Sequence, residues 1–404
     1  MFNTFGKTWQ RSFLTQQQSV ASWGASVVQV PFQQIANVGL LRKLQLFMPY
    51  TTGTVALGGG TNAIQGGLQA PQLRVLNEFS LNLQSAIQIY NLWNGSGGLE
   101  LGMLKYIADG DFRKDYRLPM YGTSYNGAPS GSKFPFAFPD LQASNPGDIT
   151  NIGPWANYNT NLLFSYAMDI PISTYIAFPN TPIAKSGNAV IVSDDVLEIG
   201  LLVMQSNLQN LTPIVKLNPL YALTSSETPT ISTGAATCIA ASAAFNMQVE
   251  AYDIPASTDD WPQGLEAKYV VTRSSKEVAI SGAATTTKFI PGGLLTDVIY
   301  LLLNDTTNRG ALVDATATAS TRIQLKSGAT EMILDEFEQM NAYNATLQYR
   351  AAPPGCIVHG RCHDGTIVDA LDTVALTELR TDFTALPAAA TRMRWIEKRL
   401  IPVR

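Results

Sequence analysis

The sequence predicts an all-β protein built as two β-sandwiches of jelly-roll type with short inserted helices. Three observations lead there. Phe79 to Tyr90 alternates apolar and polar side chains, short strand patterns bounded by turn residues recur along the chain, and after a break at residues 254–262 the same order of elements begins again. In the first of these, Phe79, Leu81, Leu83, Ile87 and Ile89 fall on one side of a strand and Ser80, Asn82, Gln84 and Gln88 on the other. A helix through the same residues leaves Leu81 and Ile89 outside its apolar stripe. Each of these side chains is worth about 1.5–3 kcal/mol when fully buried, so the apolar face must look inward and a second sheet must cover it.

The chain of 404 residues is long enough for two or more cores. Charged residues make up only 14 %, so Thr, Ser, Asn, Gln and Gly supply the surface, which suits it to lying against copies of itself. Twenty-seven basic and 31 acidic residues leave a net charge of −4, against a dedicated nucleic-acid binder. The balance is uneven: Lys7, Arg11, Arg42, Lys43 and Arg74 precede the first acidic residue, Glu78, and the tail from Arg392 to Arg404 is basic. Both stretches read as solvated charges flanking polar strands, or as a contact with a negatively charged surface. Cys238, Cys356 and Cys362 cannot all pair within one chain, which points to a reducing cytosol as the place of synthesis and assembly. No apolar run approaches the ~18–20 residues that span a bilayer, and Lys7 is followed by polar and aromatic residues, unlike a secretory signal.

In chain order, Phe2, Phe5, Trp9, Phe13, Val20 and Trp23 recur at spacings near three, four and seven, which predicts an amphipathic helical arm over residues 1–30, ended by Pro31. Such an arm packs on its own domain or a neighbouring copy, or lies at a membrane surface, though Lys and Arg are sparse for the latter. Strand language follows from Ile35 to Thr54, then glycine-rich turns at 58–60 and 66–67, then the strand ending at Tyr90. Leu101, Leu104, Ala108 and Phe112 predict a short helix, and the tract 116–155, rich in Gly, Pro and aromatics, reads as a long loop reaching a partner subunit. Strands are expected at 161–172, 213–217 and 245–252. Between the first two of these, Ser193-Asp194-Asp195 caps a predicted helix carrying Val196, Ile199, Val203 and Met204. Past the break, strands are expected at 269–272, 277–280, 286–290, 297–303 and 321–325. A second helix over Glu331 to Met340 comes next, followed by strands at 348–349, 356–360, 366–368, 375–383 and 393–403. The domains are thus the arm at 1–30, a first roll at 31–254 and a second at 255–404.

Several stretches resemble the double jelly-roll major capsid proteins of tectivirus-like, membrane-containing icosahedral bacteriophages. Ile35-Ala-Asn-Val-Gly-Leu-Leu-Arg-Lys-Leu-Gln-Leu is similar to that family's first strand, Ala70 to Leu76 to the Pro-led strand after it, and Asn94 to Ile107 to the turn and helix that follow. Val196 to Leu217 resembles a later helix and strand of the first roll, and Tyr349 to His359 the Pro-x-Gly entry to a late strand of the second. The resemblance is one of pattern and order over most of the chain. It implies two rolls side by side, a homotrimer of pseudo-hexagonal outline, and a virion shell of such trimers over an internal membrane, assembled in the host cytoplasm. The implied partners are the chain's own copies, neighbouring capsomers, other capsid proteins at the vertices, and lipid through the N-terminal helix. Neither an enzymatic activity nor a cofactor nor a specific nucleic acid is implied.

The candidate chemical sites are weak. Cys356, His359, Cys362 and His363 carry zinc-ligand atoms, but on a strand Cys356 and His359 point to opposite faces, so ordinary strand and turn residues are the preferred reading and no metal is expected. His359 and His363 are the only histidines, and no Gly-x-Ser-x-Gly elbow accompanies them. Gly127 to Phe134 only approximates a phosphate loop, with Phe134 where the magnesium-binding hydroxyl belongs. Asp194-Asp195 and Asp259-Asp260 read as a helix cap and a solvated linker rather than as glycosidase acids, which must face each other ~5–9.5 Å apart. The function expected is therefore assembly, without catalytic, cofactor or metal residues. The rival is a glycan-binding or glycan-cleaving β-sandwich, such as a viral spike or lectin, with exposed aromatics around a groove. An outer-membrane barrel would need regular ~10-residue alternating segments, which are lacking.

Overall fold

The computed structural model describes residues 11–23, 26–48, 51–52, 76–84, 87–92, 100, 104, 166–172, 182–186, 189–192, 202–204, 210–218, 241–252, 269–304, 311–313, 322–327, 330–336, 356–360 and 370–402. The first half holds β1 (Arg11–Trp23), β2 (Val28–Val30), β3 (Ile35–Ala36), β4 (Gly39–Met48), β5 (Thr51–Thr52), β6 (Leu76–Leu83), β7 (Ile87–Leu92), β8 (Tyr166–Pro171), β9 (Pro182–Ser186), β10 (Ala189–Val192), β11 (Leu202–Met204), β12 (Asn210–Leu217) and β13 (Ala241–Tyr252). The second holds β14 (Tyr269–Ala279), β15 (Ala284–Phe289), β16 (Leu294–Asn304), β17 (Ala311–Leu312), β18 (Arg322–Ser327), β19 (Thr330–Glu336), β20 (Cys356–Gly360), β21 (Leu371–Asp372), β22 (Leu379–Thr384) and β23 (Arg392–Pro402).

Each half repeats one topology. In the first, β1, β2, β4, β6, β7, β8, β12 and β13 serve as strands one to eight; β1-β13-β4-β8 form one sheet and β2-β12-β6-β7 the other, orders 1-8-3-6 and 2-7-4-5. In the second, β14-β23-β16-β20 and β15-β22-β18-β19 give the same two orders. These are jelly-roll sandwiches: apart from strands four and five, which pair with each other, consecutive strands lie in opposite sheets and face each other across the core. The two halves are fused: β7 pairs in parallel with β14, so the second sheet of the first half runs on into the first sheet of the second.

The cores follow from this arrangement. Val20, Leu44, Leu46, Phe245 and Met247 meet Phe79, Leu81, Leu211 and Val215 between the sheets of the first half. Phe289, Leu325, Leu379 and Phe383 meet Val298, Tyr300, Leu302 and Trp395 in the second. β16 is buried at every position from Leu295 to Leu303 because both of its faces are covered. Val298, Tyr300 and Leu302 enter the second core, whereas Ile299, Leu301 and Leu303 join Cys356, Val358 and Ile396 in the cluster that continues into the first half. The first hydrophobic core thus crosses residue 255.

The organising stretch is a hairpin and not one strand. Phe79, Leu81 and Leu83 are buried as expected, but the chain reverses at Gln84, whose φ is 52°, and returns as β7. A bulge between Leu81 and Asn82 in the register places two residues, Ile89 and Tyr90, opposite one. That shift swaps the parity and turns Tyr90 and Leu92 to the core side, where Tyr90 meets Phe79 edge to face at 5.3 Å. A similar shift at Arg42 lets Leu41, Leu44 and Leu46 all be buried. The Ala36-Asn37-Val38-Gly39 step links β3 to β4 through left-handed backbone, φ 53° at Asn37 and 88° at Gly39, which explains the residue choice.

Three predicted helices are overturned over the residues described. Arg11 to Trp23, read as part of the N-terminal helical arm, is β1, paired antiparallel with β13 from Arg11 to Trp23. The first sandwich therefore begins well before residue 31. Thr15, Gln17 and Ser19 are exposed while Gln16, Gln18 and Val20 are more covered, a period of two that the spaced aromatics concealed. The membrane-surface helix loses its basis over these residues. Glu331 to Glu336 lies in β19 against β18, with 337–340 outside the described residues. Val203 and Met204 lie in β11, paired with β4, and 196–201 are outside. In each, the cross-strand ladder outweighs a weak helical preference. The strands expected at 269–272 and 277–280 are a single strand, β14. Glu100 and Leu104 do have helical backbone; the rest of the helix expected at 101–112 is outside the described residues. So are the tract 116–155, with Gly127 to Phe134, and Asp194, Asp195, Asp259, Asp260, Cys362, His363 and the strands expected at 348–349 and 366–368.

Candidate functional site

The Cys-His motif does not form a site where it is described. Cys356 and His359 sit on β20; Cys356 is fully buried beside Val358, and His359, three residues on, is half-buried opposite Val298. Burial pushes the Cys356 thiol up in pKa, away from the thiolate a metal needs. Among the described residues no group of three or more His, Cys, Asp or Glu is placed to hold a metal ion.

The structure instead concentrates buried polar chemistry at the junction of the halves. β14 and β7 pair at Arg273 with Tyr90 and Ser274 with Asn91. The buried Arg273 guanidinium lies 4.7 Å from the centre of the Tyr90 ring, and Ser275 Oγ donates to Asn91 O at 3.3 Å. On the same face of β14 and β23, Arg394 Nη1 donates to Glu100 Oε1 at 2.8 Å and Nη2 to Glu277 Oε2 at 2.7 Å, while Arg392 Nη1 reaches that same Glu277 oxygen at 3.1 Å. Glu100 belongs to the first half; the other three belong to the second. The side chains of Arg394 and Glu100 are 1 % and 0 % exposed, so each charge depends on the other. Burial pushes the Glu100 carboxyl up to about 7 against the pull of Arg394, and Arg394 holds its own proton more tightly because of Glu100 and Glu277.

A second polar cluster pins two loops at one end of the second half. Arg399 donates from Nε to Glu397 Oε2 at 2.9 Å and from Nη1 to Gly292 O at 2.6 Å and Thr373 Oγ1 at 3.0 Å. Thr373 Oγ1 accepts from Gly292 N and donates to Gly293 O, both at 2.9 Å. Lys276 and Trp395 complete the set by donating to Glu397 Oε1 at 2.7 and 3.0 Å. Gly293, with φ +67°, passes so close to the Leu400 carbonyl that a Cβ there would lie 2.6 Å from its oxygen. Glu100 and Glu277 have an arginine, Arg394, between them. Such an arrangement fixes a joint; it does not aim an acid and a base at a substrate. Sequence reasoning missed it because Arg392 and Arg394 were grouped with a basic tail. The available signal was their alternation with Met393, Trp395 and Ile396 in a strand too apolar to be solvated.

No family model and no curated protein matches the sequence. Solved structures do match. The chain superposes on the STIV MCP with a TM-score of 0.52 and 13 % identity, covering 98 % of this chain and 97 % of that one. It superposes on a quasi-atomic model of the PBCV-1 virus capsid with a TM-score of 0.53 and 9 % identity, covering 97 % and 94 %. A chain of Sulfolobus Turreted Icosahedral Virus gives 0.50 and 13 %, covering 97 % and 90 %. The fold is a double jelly roll. The superpositions run over nearly the whole length of each of these chains, and at such identities what they show is a shared fold.

Proposed function

We propose that this chain is the major capsid protein of an icosahedral virus, forming homotrimeric, pseudo-hexameric capsomers that tile the shell over an internal membrane. The observation that carries the reading is the pair of 1-8-3-6/2-7-4-5 sandwiches held in one fused sheet, matched over 98 % of this chain and 97 % of the STIV MCP. Two similar prisms rigidly joined make one third of a six-sided ring, so three copies give six near-equal sides. The polar joint at Arg394 and the pinned loops around Arg399 suit this role by fixing one half relative to the other and stiffening one end of the second half. The role is structural, not enzymatic. Its partners are further copies of the chain, neighbouring capsomers and other shell proteins at the vertices, with no specific nucleic acid, and its place is the virion after synthesis in the host cytoplasm. We set the division between the rolls at 254/255, between the end of β13 at Tyr252 and the start of β14 at Tyr269.

Light scattering on the purified full-length protein tests the reading. A mass of three chains, with hexagonal outlines in electron micrographs, is expected; a single chain that binds oligosaccharide would overturn it in favour of a lectin.

A further inference from the structure

The junction between the halves has a direction. It joins strand five of one sandwich, β7, to strand one of the next, β14, in parallel. Because the two sandwiches share one strand order, the chain carries a second copy of each of these edges. Strand one of the first half is β1, which among the described residues pairs only with β13; strand five of the second is β19, which pairs only with β18. β1 is 13 residues long, and from Ser12 to Trp23 it holds neither a charge nor a proline, the devices that normally blunt an open sheet edge. Leu14, at 45 % exposure, and Thr15, Gln17 and Ser19 are all open. β19 carries Glu331, Asp335 and Glu336, so two β19 edges repel each other, whereas the uncharged β1 accepts one.

We propose that β19 of one copy adds in parallel to β1 of the next, repeating between chains the join that β7 and β14 make within one. The proposal rests on the capsomer reading. A head-to-tail contact of this kind leaves one edge open at each end of a chain, and the open edges vanish only when the ring closes. With two sandwiches per chain, three internal and three intermolecular joins close a ring of six. The internal join also sets the register. Arg273, fifth in β14, stands opposite Tyr90, fourth in β7; the equivalent positions place Thr15 opposite Ile333 and, two residues on, Gln17 opposite Asp335.

Charge at position 17 tests the proposal, since Gln17 is exposed and its replacement leaves the chain's own core intact. By light scattering at low salt, Gln17→Glu is expected to weaken the trimer at least about tenfold, Gln17→Lys to leave it intact, and Gln17→Glu with Asp335→Lys to restore it. Thr15→Cys with Ile333→Cys is expected to give disulfide-linked trimers on oxidation, and Thr15→Cys alone none. Equal trimer stability in Q17E and Q17K, or failure of D335K to rescue Q17E, would overturn the strand join while leaving the capsomer reading standing. A wild-type chain that is not trimeric would overturn the capsomer reading itself.

Discussion

Arg394→Met keeps an unbranched apolar stem, shorter than arginine, and removes both of its ion pairs. Glu100 is then a wholly buried carboxylate without the cation that stood 2.8 Å away, whereas Glu277, a quarter exposed, keeps Arg392 at 3.1 Å. Removing one member of a buried pair costs about 3–5 kcal/mol, nearly all of it here at Glu100, because Glu277 can turn to water and to Arg392. The cost depends on pH in a known direction. A carboxyl whose folded pKa is raised, from 4.5 to about 7 at Glu100, contributes stability that is present below 4.5 and is lost as pH rises through 7. In the wild type that loss is on the order of 3 kcal/mol. Without Arg394 the carboxyl rises further, so the variant loses more over the same range. Its deficit against wild type should be largest near pH 8.5 and smaller near pH 6, where Glu100 holds its proton in both proteins. Denaturant midpoints followed by tryptophan fluorescence at the two pH values measure this. Glu100→Gln in the Arg394→Met background should recover most of the loss at pH 8.5. A deficit below about 1 kcal/mol at pH 8.5, or one equal at both pH values, would refute the reasoning.

Other outcomes follow from single contacts. Gly293→Ala must place a Cβ 2.6 Å from the Leu400 oxygen at a φ of +67°, and should lower stability by about 2 kcal/mol or more; Gly282→Ala, with open space around it, should change the unfolding midpoint by less than about 0.5 kcal/mol. Tyr300→Phe deletes a 2.8 Å hydrogen bond to Thr381 inside the second core and strands that hydroxyl. A loss of about 1–2 kcal/mol is expected, reduced when Thr381→Val is added, as a double-mutant cycle would show. Cys356 should resist thiol reagents in the native protein and react once the chain is unfolded, read by peptide mass spectrometry.

Much of the architecture was legible because burial writes a period of two. β12 alternates covered and buried at all eight positions, and β13 buries Phe245, Met247 and Val249 as its sequence implies. The recurrence of short strands after the break at 254–262 was also legible, and the two identical sheet orders give it a physical form, whereas the late helix expected in each half is strand where it is described. Bulges were not. At Arg42 and at Ile89 one extra residue reverses the parity, and nothing in the local alternation announces where a strand takes in that residue. The polar joint was hidden for another reason: Glu100 and Arg394 are separated by 294 residues, and a charge in a strand reads as solvated until its partner is known.

The misread strands are informative in a different way. β1 and β19 both carried helical spacing, and both are outermost strands with one ladder partner among the described residues. A strand inside a sheet is paired on both edges, and in this fold its faces are set by one core or two, as in β16, so its alternation or continuous apolarity is strong. An outer strand has half of that constraint from its own chain. If its other edge meets a second copy, as proposed, the residues there answer to a partner that the single sequence does not contain, and the pattern that remains is weak enough to be mistaken for a helix. The same two segments would then be the ones whose structure is least fixed in an isolated chain. Amide hydrogen exchange in β1 and β19 should accordingly slow on trimer formation more than in β12 or β16, whose ladders are complete within the chain. Equal slowing in all four strands would mean that β1 and β19 gain no partner on assembly, and their helical spacing would need another cause.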